Sequence, residues 1–420
     1  MIFDIKLRNQ SVNERVNERV NECNVLDKLN CKIKEGNSPE RPEEKYGFSD
    51  KLNIHRNKID KINSDIWKKV RWYINDYDFL VKDPIINRAF YKYWEIINVF
   101  NIFENYTDID QIFHCAEAPG GFIQGTNIYL QLENYNPIKI ETKLVDDDGF
   151  TQVLKRKTLV DKYYKIYTIS LNKDLPQYKM YNLPSYNKRV INKNICVTYG
   201  KDNTGDINNL DNIHYIKKKL INEESYLVTA DGGFDEGTDF NNKEQLHYYL
   251  ILNEIYSAIY LQKQGGYFIL KVFDIFTNTS IHLLYLLNLL YDEIYIYKPK
   301  TSRPTNSEKY IICKNFKLIH REPILVKLKE LSTKIKYQKN KYISFTFFDD
   351  IPSEFIEKIK YMNTELLNKQ CEYLEYAIKL CENKEFINNY EIELNNSLDK
   401  RKQIFKQWEE KYNLNCYIPS

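Results

Sequence analysis

Residues 109–314 alternate strand-like with helix-like segments, and that alternation restricts the chain to few architectures. Strand-like runs lie at 109–116, 164–171, 226–230, 266–273, 293–298 and 309–314. Helix-like stretches lie between them at 122–132, 207–220, 245–264 and 280–291. Alternation of this kind predicts an α/β sheet with helices on both faces. Ligands of such sheets bind beyond the C-terminal ends of the strands, which directs attention to the residues around 116, 230 and 273.

The flanks read differently. Residues 1–49 are polar and carry a tandem tetrad, Val12-Asn13-Glu14-Arg15, Val16-Asn17-Glu18-Arg19, Val20-Asn21-Glu22, whose spacing places the valines on one helical face. This predicts a short helix or a disordered arm. A helical stretch with Ile66, Trp67, Val70, Trp72 and Tyr73 leads to a second one around 87–95. After Phe316 glycines disappear and Lys, Glu, Leu and Ile dominate, predicting long helices near 352–383 and 396–412. The expected division is an arm over 1–49, a catalytic domain over 50–318 and a helical region over 319–420 packed on that domain.

Composition narrows the setting. With 420 residues, 43% of them hydrophobic, the chain can bury a large core. Sixty-one basic against 58 acidic side chains leave a net charge of +3, so the whole chain is no polycation. Local runs such as Lys155-Arg156-Lys157 and Lys217-Lys218-Lys219 can still meet phosphate. The eight cysteines form no Cys-x-x-Cys pair, and no signal-peptide-like run opens the chain, which points to a reduced intracellular compartment, the cytoplasm first. The longest apolar stretch, 281–297, is interrupted by Asn288, Asp292 and Glu293 and falls short of the roughly 20 residues a membrane span needs.

Three segments carry chemistry. An apolar run ends in Thr229-Ala230-Asp231-Gly232-Gly233-Phe234, which delivers a carboxylate into a turn without side chains. Taken alone, Asp231 would only cap that turn. Lys271 stands inside Phe268-Ile269-Leu270-Lys271-Val272-Phe273, where burial strips its hydration unless it has a partner or a function. The bland alternative is an edge-strand lysine reaching back to water. Glu117-Ala118-Pro119-Gly120-Gly121-Phe122 follows a strand and opens a helix, so a backbone can approach a ligand closely there. It is neither the dinucleotide glycine pattern nor a Walker A loop. Glu308 and Lys92 by themselves read as a surface glutamate and a solvated helix lysine.

In this order, these places resemble the FtsJ/RrmJ-like S-adenosylmethionine-dependent RNA 2'-O-methyltransferases. The resemblance is greatest to the branch that methylates the first transcribed nucleotide of capped mRNA. It rests on Asn87-Arg88-Ala89-x-x-Lys92, the Ala-Pro-Gly-Gly-Phe turn, Tyr199-Gly200 with Gly205-Asp206-Ile207, Ala-Asp-Gly-Gly-Phe, Lys271-x-Phe273-Asp274 and Ser302-Arg303-Pro304-x-Asn306-Ser307-Glu308. It runs from about residue 84 to 314. The implied fold is a Rossmann-like methyltransferase sheet, and the implied catalytic tetrad is Lys92, Asp231, Lys271 and Glu308. The cofactor S-adenosylmethionine, with S-adenosylhomocysteine as product, would lie against Asn87, Ala116, Glu117, Ala118, Pro119, Gly120, Gly121, Phe122, Asp206 and Ile207. Asn241 and Asn306 would contact RNA, and no metal is implied. Capped mRNA is the implied partner, other capping or transcription proteins are further candidates, and no membrane is involved. Glu117 departs from the small residue many members carry, and 146–162 has no counterpart. The excess of Lys, Asn, Ile and Tyr, with 35 tyrosines against 13 glycines, points to an AT-rich genome such as a large DNA virus.

For this family the resemblance implies a methyl transfer in which Lys271 accepts the hydroxyl proton, Asp231 orients Lys271, and Lys92 with Glu308 holds the ribose. A free lysine titrates at about 10.4, so the expectation is that burial and neighbouring positive charge pull Lys271 downward. Three alternatives stand beside this reading. One is a 2'-O-methyltransferase acting on the second cap nucleotide or on ribosomal or transfer RNA. Another is a catalytically silent RNA-binding subunit, and the last a nucleotide-binding Rossmann protein, which the glycine patterns disfavour.

Overall fold

The computed structural model describes residues 1–7, 29–78, 83–103, 111–132, 135–137, 162–220, 224–233, 242–317, 320–337 and 342–416. Their strands are β1 (Ile2–Asp4), β2 (Lys32–Gly36), β3 (Gln111–Cys115), β4 (Tyr135–Pro137), β5 (Lys162–Ile169), β6 (Ile195–Thr198), β7 (Ser225–Ala230), β8 (Gln262–Val272), β9 (Tyr291–Tyr297), β10 (Lys309–Phe316) and β11 (Tyr342–Thr346). The main sheet runs β1-β9-β10-β8-β7-β3-β5-β4, with β6 also paired to β5. β3 to β8 are parallel, while β10 lies antiparallel between β8 and β9. This is the α/β sheet that the alternation predicts.

Every residue of β3 and β7 is buried, the burial expected of strands covered on both faces. Because successive side chains point to opposite faces, Phe113, Val228 and Leu270 enter one layer while Ile112, Leu227 and Ile269 enter the other. Helices Tyr248–Leu261, Asn278–Leu290 and Glu322–Lys336 cover the first face. Ala89–Val99 and Gly121–Leu132 cover the second, joined by Phe405 and Trp408 of the C-terminal helix Tyr390–Lys411.

Several boundaries move, each for a local reason. β8 begins at Gln262 rather than 266, because Gly265-Gly266 sits within the strand at a register shift: Ser225 pairs with Gln262 but Leu227 with Tyr267. The helix expected over 245–264 divides into Lys243–Leu246 and Tyr248–Leu261. The one expected over 207–220 is confined to Leu210–Lys217, with Asn209 accepting from Asp211 N as its cap. The polar segment before residue 50 is not only a helix or a disordered arm. Ile2–Asp4 adds an edge strand to β9, and Lys32–Gly36 pairs with Tyr342–Thr346 in a second, two-stranded sheet. Edge strands are held by main-chain hydrogen bonds and need few apolar side chains, so a polar composition conceals them. The Val12 to Val20 repeat and the basic run 155–157 lie outside the described residues. No helix among the described residues is long and apolar enough to cross a membrane.

Glu95 ties these layers together. It is fully buried on the helix Ala89–Val99, and its carboxylate accepts from the Tyr297 hydroxyl, Lys300 N at 2.8 Å, Thr301 N at 3.3 Å and Trp408 Nε1 at 3.1 Å. The same helix carries Lys92 one turn earlier, so this junction also fixes a site residue. Trp408→Ala would empty a core position and remove a donor from a buried carboxylate. It should lower the free energy of unfolding by about 3–5 kcal/mol, read in equilibrium denaturant titrations.

Candidate active site

Strand register builds the site. β7 and β8 pair Ala230 with Leu270, so Asp231 emerges beside Lys271; β8 and β10 pair Lys271 with Tyr310. Lys271 is therefore in a central strand and not at an edge. Its ammonium donates to Asp231 O at 2.6 Å and lies 3.3 Å from Asp231 Oδ1, and the side chain is only 12% exposed. From the helix Ala89–Val99, Lys92 Nζ reaches Glu308 Oε1 at 2.6 Å. β10 runs antiparallel to β8, which brings Glu308, just before its first residue, to the edge where β7 and β8 end.

All four proposed tetrad residues thus meet, and a fifth connects them. The buried Tyr310 hydroxyl stands 3.2 Å from Asp231 Oδ1 and 3.4 Å from Glu308 Oε1. Its single proton can go to only one of these carboxylates at a time. Nothing in the sequence singles out one tyrosine among 35. The position opposite Lys271 on the neighbouring strand is the signal, and it requires the register. Asn306 turns inward to the chain itself, its Oδ1 accepting from Glu308 N at 3.0 Å. Asn241 lies outside the described residues.

The glycine turn after β3 is the second half of the site. Ala116 adopts φ +56°, a left-handed conformation that non-glycine residues enter at a cost and that clusters at functional positions. A Cβ on Gly121 would fall 2.2 Å from Asn87 Oδ1 and 2.7 Å from Phe90 N, so only glycine lets the two helix N-termini come this close. Asn87 Oδ1 accepts from Phe90 N at 3.4 Å. Glu117 is buried; its Oε1 accepts from Phe122 N, and its Oε2 finds no partner among the described residues. Ala118 N donates to Ser170 Oγ at 2.9 Å. Asp206 follows Gly205, a Cβ on which would collide with Ser170 O beyond the end of β5, and its carboxylate accepts from Asn208 N at 2.9 Å. Ile207 is buried beside it. A buried carboxyl oxygen without a partner among the described residues, at a turn where glycine admits close approach, suits a polar group of a ligand.

A family model described as FtsJ-like methyltransferase matches residues 148–316. Over that span the chain is similar to the FtsJ-like methyltransferases. That span holds Asp231, Lys271 and Glu308, while Lys92 and the 116–122 turn precede it and join the site through the fold. Over 120 residues the chain is 44% identical to a cap-specific mRNA (nucleoside-2'-O-)-methyltransferase 1 of Trypanosoma cruzi, covering 28% of this chain and 33% of that protein. A probable methyltransferase of African swine fever virus is 26% identical over 78% of this chain and 70% of its own length. An inactive cap-specific mRNA (nucleoside-2'-O-)-methyltransferase 1B of Caenorhabditis briggsae is 32% identical over 42% of this chain and 22% of its own length. The matches span a third or less of the length of the first curated relatives. Similarity of this order is shared by a relative described as inactive, so the site's own chemistry has to carry the functional argument.

The charges of this site are strongly coupled. Burial pulls Lys271 down, but the carboxylates of Asp231, Glu308 and Glu254 together outweigh it and raise its pKa above the ordinary lysine value. The expected depression is not what the ligand-free site displays. Lys92 is paired with Glu308. Burial opposes ionisation of Glu308, yet Lys92 and Lys271 overcome it and lower its pKa to about 2. Burial and the charge of Asp231 push Glu117 well above the carboxylate range. Burial raises Glu254 to about 8 despite Lys271 and a hydrogen bond from Gly232 N at 3.1 Å. Sequence reading passed over Glu254, which lies on the covering helix Tyr248–Leu261; a Cβ on Gly232 would fall 2.1 Å from its Oε1.

Glu254 generates a pH prediction. Its folded-state pKa of about 8 exceeds the ordinary 4.5, so between these values the folded state holds a proton that the unfolded state has lost. Stability should fall as pH rises through this window. Glu254→Gln keeps an acceptor for Gly232 N and should be near neutral at pH 4 but increasingly stabilising toward pH 8. Thermal unfolding of both proteins across that range reads the difference; parallel curves would contradict it.

Proposed function

We propose that this chain transfers a methyl group from S-adenosylmethionine to the ribose 2'-hydroxyl of the first transcribed nucleotide of capped mRNA, converting cap-0 to cap-1. The observation that carries the proposal is the continuous chain Lys92, Glu308, Tyr310, Asp231, Lys271 at the strand ends beside the glycine turn. Two cations and two carboxylates held in fixed contact suit a hydroxyl that must be oriented and relieved of its proton, while a binding module has no use for them. Relatives described as cap-specific mRNA 2'-O-methyltransferases support the choice of substrate.

On this reading Asn87, Ala116 to Phe122, Asp206 and Ile207 hold the cofactor, with Glu117 Oε2 and Asp206 offered to its polar groups. Bound S-adenosylmethionine supplies a methyl group on a positively charged sulfur. Lys92 and Glu308 fix the ribose, and fixed geometry supplies much of the rate. Asp231 holds the Lys271 side chain in line through its backbone oxygen and its carboxylate. The hydroxyl proton passes to Lys271 Nζ, which must first shed the proton that Asp231, Glu308 and Glu254 stabilise. Burial already favours that loss, and any cation placed beside the site adds to it.

Labelled methyl transfer from S-adenosylmethionine to short RNAs that differ only in the 5' end tests the proposal. Transfer should require the cap-0 end and fall on the first nucleotide. Equal labelling of uncapped RNA would sink the cap assignment, and labelling of cap-1 RNA would move it to the second nucleotide. Lys271→Ala should lower kcat by about 10²–10⁴-fold while cofactor binding, followed by calorimetry, stays within about twofold of wild type. Lys271→Arg should fail as well, because guanidinium does not release a proton near neutral pH. In the wild type kcat/KM should rise with pH as Lys271 becomes neutral.

A further inference from the structure

The loop that delivers Glu308 is held by donors that the proposed chemistry leaves unused. From Thr305 to Glu308, four consecutive carbonyl oxygens each receive one. Gln370 Nε2, from the long C-terminal helix Ser353–Glu382, donates to Thr305 O at 3.0 Å. Lys298 Nζ donates to Asn306 O and, at 2.9 Å, to Glu308 O. Lys309 Nζ donates to Ser307 O at 3.2 Å and also to Phe273 O, one residue beyond β8.

Ammonium groups are costly to withdraw from water, and two of them here are spent on main-chain carbonyls rather than on carboxylates. Withdrawal from water lowers Lys298 to about 7 against the pull of Glu308, and Lys309 to about 8 against Asp274 and Glu244. Lys298 is also among the cations that keep Glu308 ionised. Its side chain follows the end of β9 and lines a cavity of about 220 Å³ bounded by residues 74–77 and by Leu366, Lys369, Gln370 and Tyr373 of the helix Ser353–Glu382. Lys298 thus holds the Glu308 backbone, while Lys92 meets its carboxylate at 2.6 Å.

We infer that Lys298 is a positioning residue for Glu308: its two hydrogen bonds to the Asn306 and Glu308 carbonyls set where the Glu308 carboxylate meets Lys92, with Gln370 bringing the C-terminal helix into the same clamp. The catalytic consequence rests on the methyl-transfer reading; the geometric one does not.

Lys298→Met keeps the bulk and removes the donor. In the full chain it should lower kcat for methyl transfer at least about tenfold, as a misplaced reacting group does, with the cofactor Kd unchanged. Gln370→Leu should produce a smaller fall of the same kind. Lys298→Ala opens onto the cavity, and added propylammonium, which replaces the atoms removed, should restore part of kcat. A crystal structure of Lys298→Met should have the Glu308 carboxylate displaced from Lys92. An unchanged kcat, or a retained Lys92–Glu308 contact in that structure, overturns the inference. So does a loss of kcat accompanied by loss of cofactor binding and without amine rescue, which would assign Lys298 to folding alone. If the wild type itself fails to methylate capped RNA, the proposed function falls while the crystal structure still decides the role of Lys298.

Discussion

A lysine near the C-terminal end of a central, doubly covered strand is the constraint around which this site is arranged. Lys271 is largely withdrawn from water in β8, so most of its charge has to be met inside the protein, and the strand on each side contributes. β7 supplies Asp231 and β10 supplies Tyr310, with Glu308 just before it. Breaking such a buried pair by removing one partner costs several kcal/mol, about 3–5, because the other charge is left uncompensated. The same coupling explains why nearby carboxyls part ways. Glu308 has Lys92 at contact distance and is ionised far below the ordinary range, while Glu117 and Glu254, with no cation at contact among the described residues, are raised by burial.

Charge balance would be of little use if the groups could drift. The helix bearing Lys92 is fixed by Glu95, whose carboxylate gathers donors from β9, the loop after it and the C-terminal helix. The loop bearing Glu308 is fixed through its main chain by Lys298, Lys309 and Gln370. Both junctions include side chains from beyond residue 350, so the C-terminal helices help to build the site as well as to cover the sheet. Their position links packing to chemistry: the layer that holds Trp408 in the core also sets the level at which Lys92 meets Glu308.

Much was legible in the linear chain. Alternating strand and helix character yields the α/β sheet, and Asp231 before two glycines, Lys271 in an apolar strand and the Ala-Pro-Gly-Gly-Phe turn mark their strand ends. Local chemistry encodes these features, because a turn needs glycine and a strand needs apolar neighbours. The edge strands β1 and β2 were hidden, since main-chain pairing leaves little mark on side-chain composition. Glu254 and Lys298 looked like ordinary charged residues, because burial of a charge follows from what packs above it and not from its neighbours in sequence.

The sequence by itself determined which groups are available, where the backbone can turn and which segments must be covered. The tertiary structure decided their partners. Lys92 lies 216 residues from Glu308, and Asp231 lies 40 from Lys271. Only strand order and register close those separations. Protonation was decided at the same level: the direction in which Lys271 titrates depends on a balance between burial and three carboxylates, and each of those terms varies with distance and exposure that no linear pattern contains.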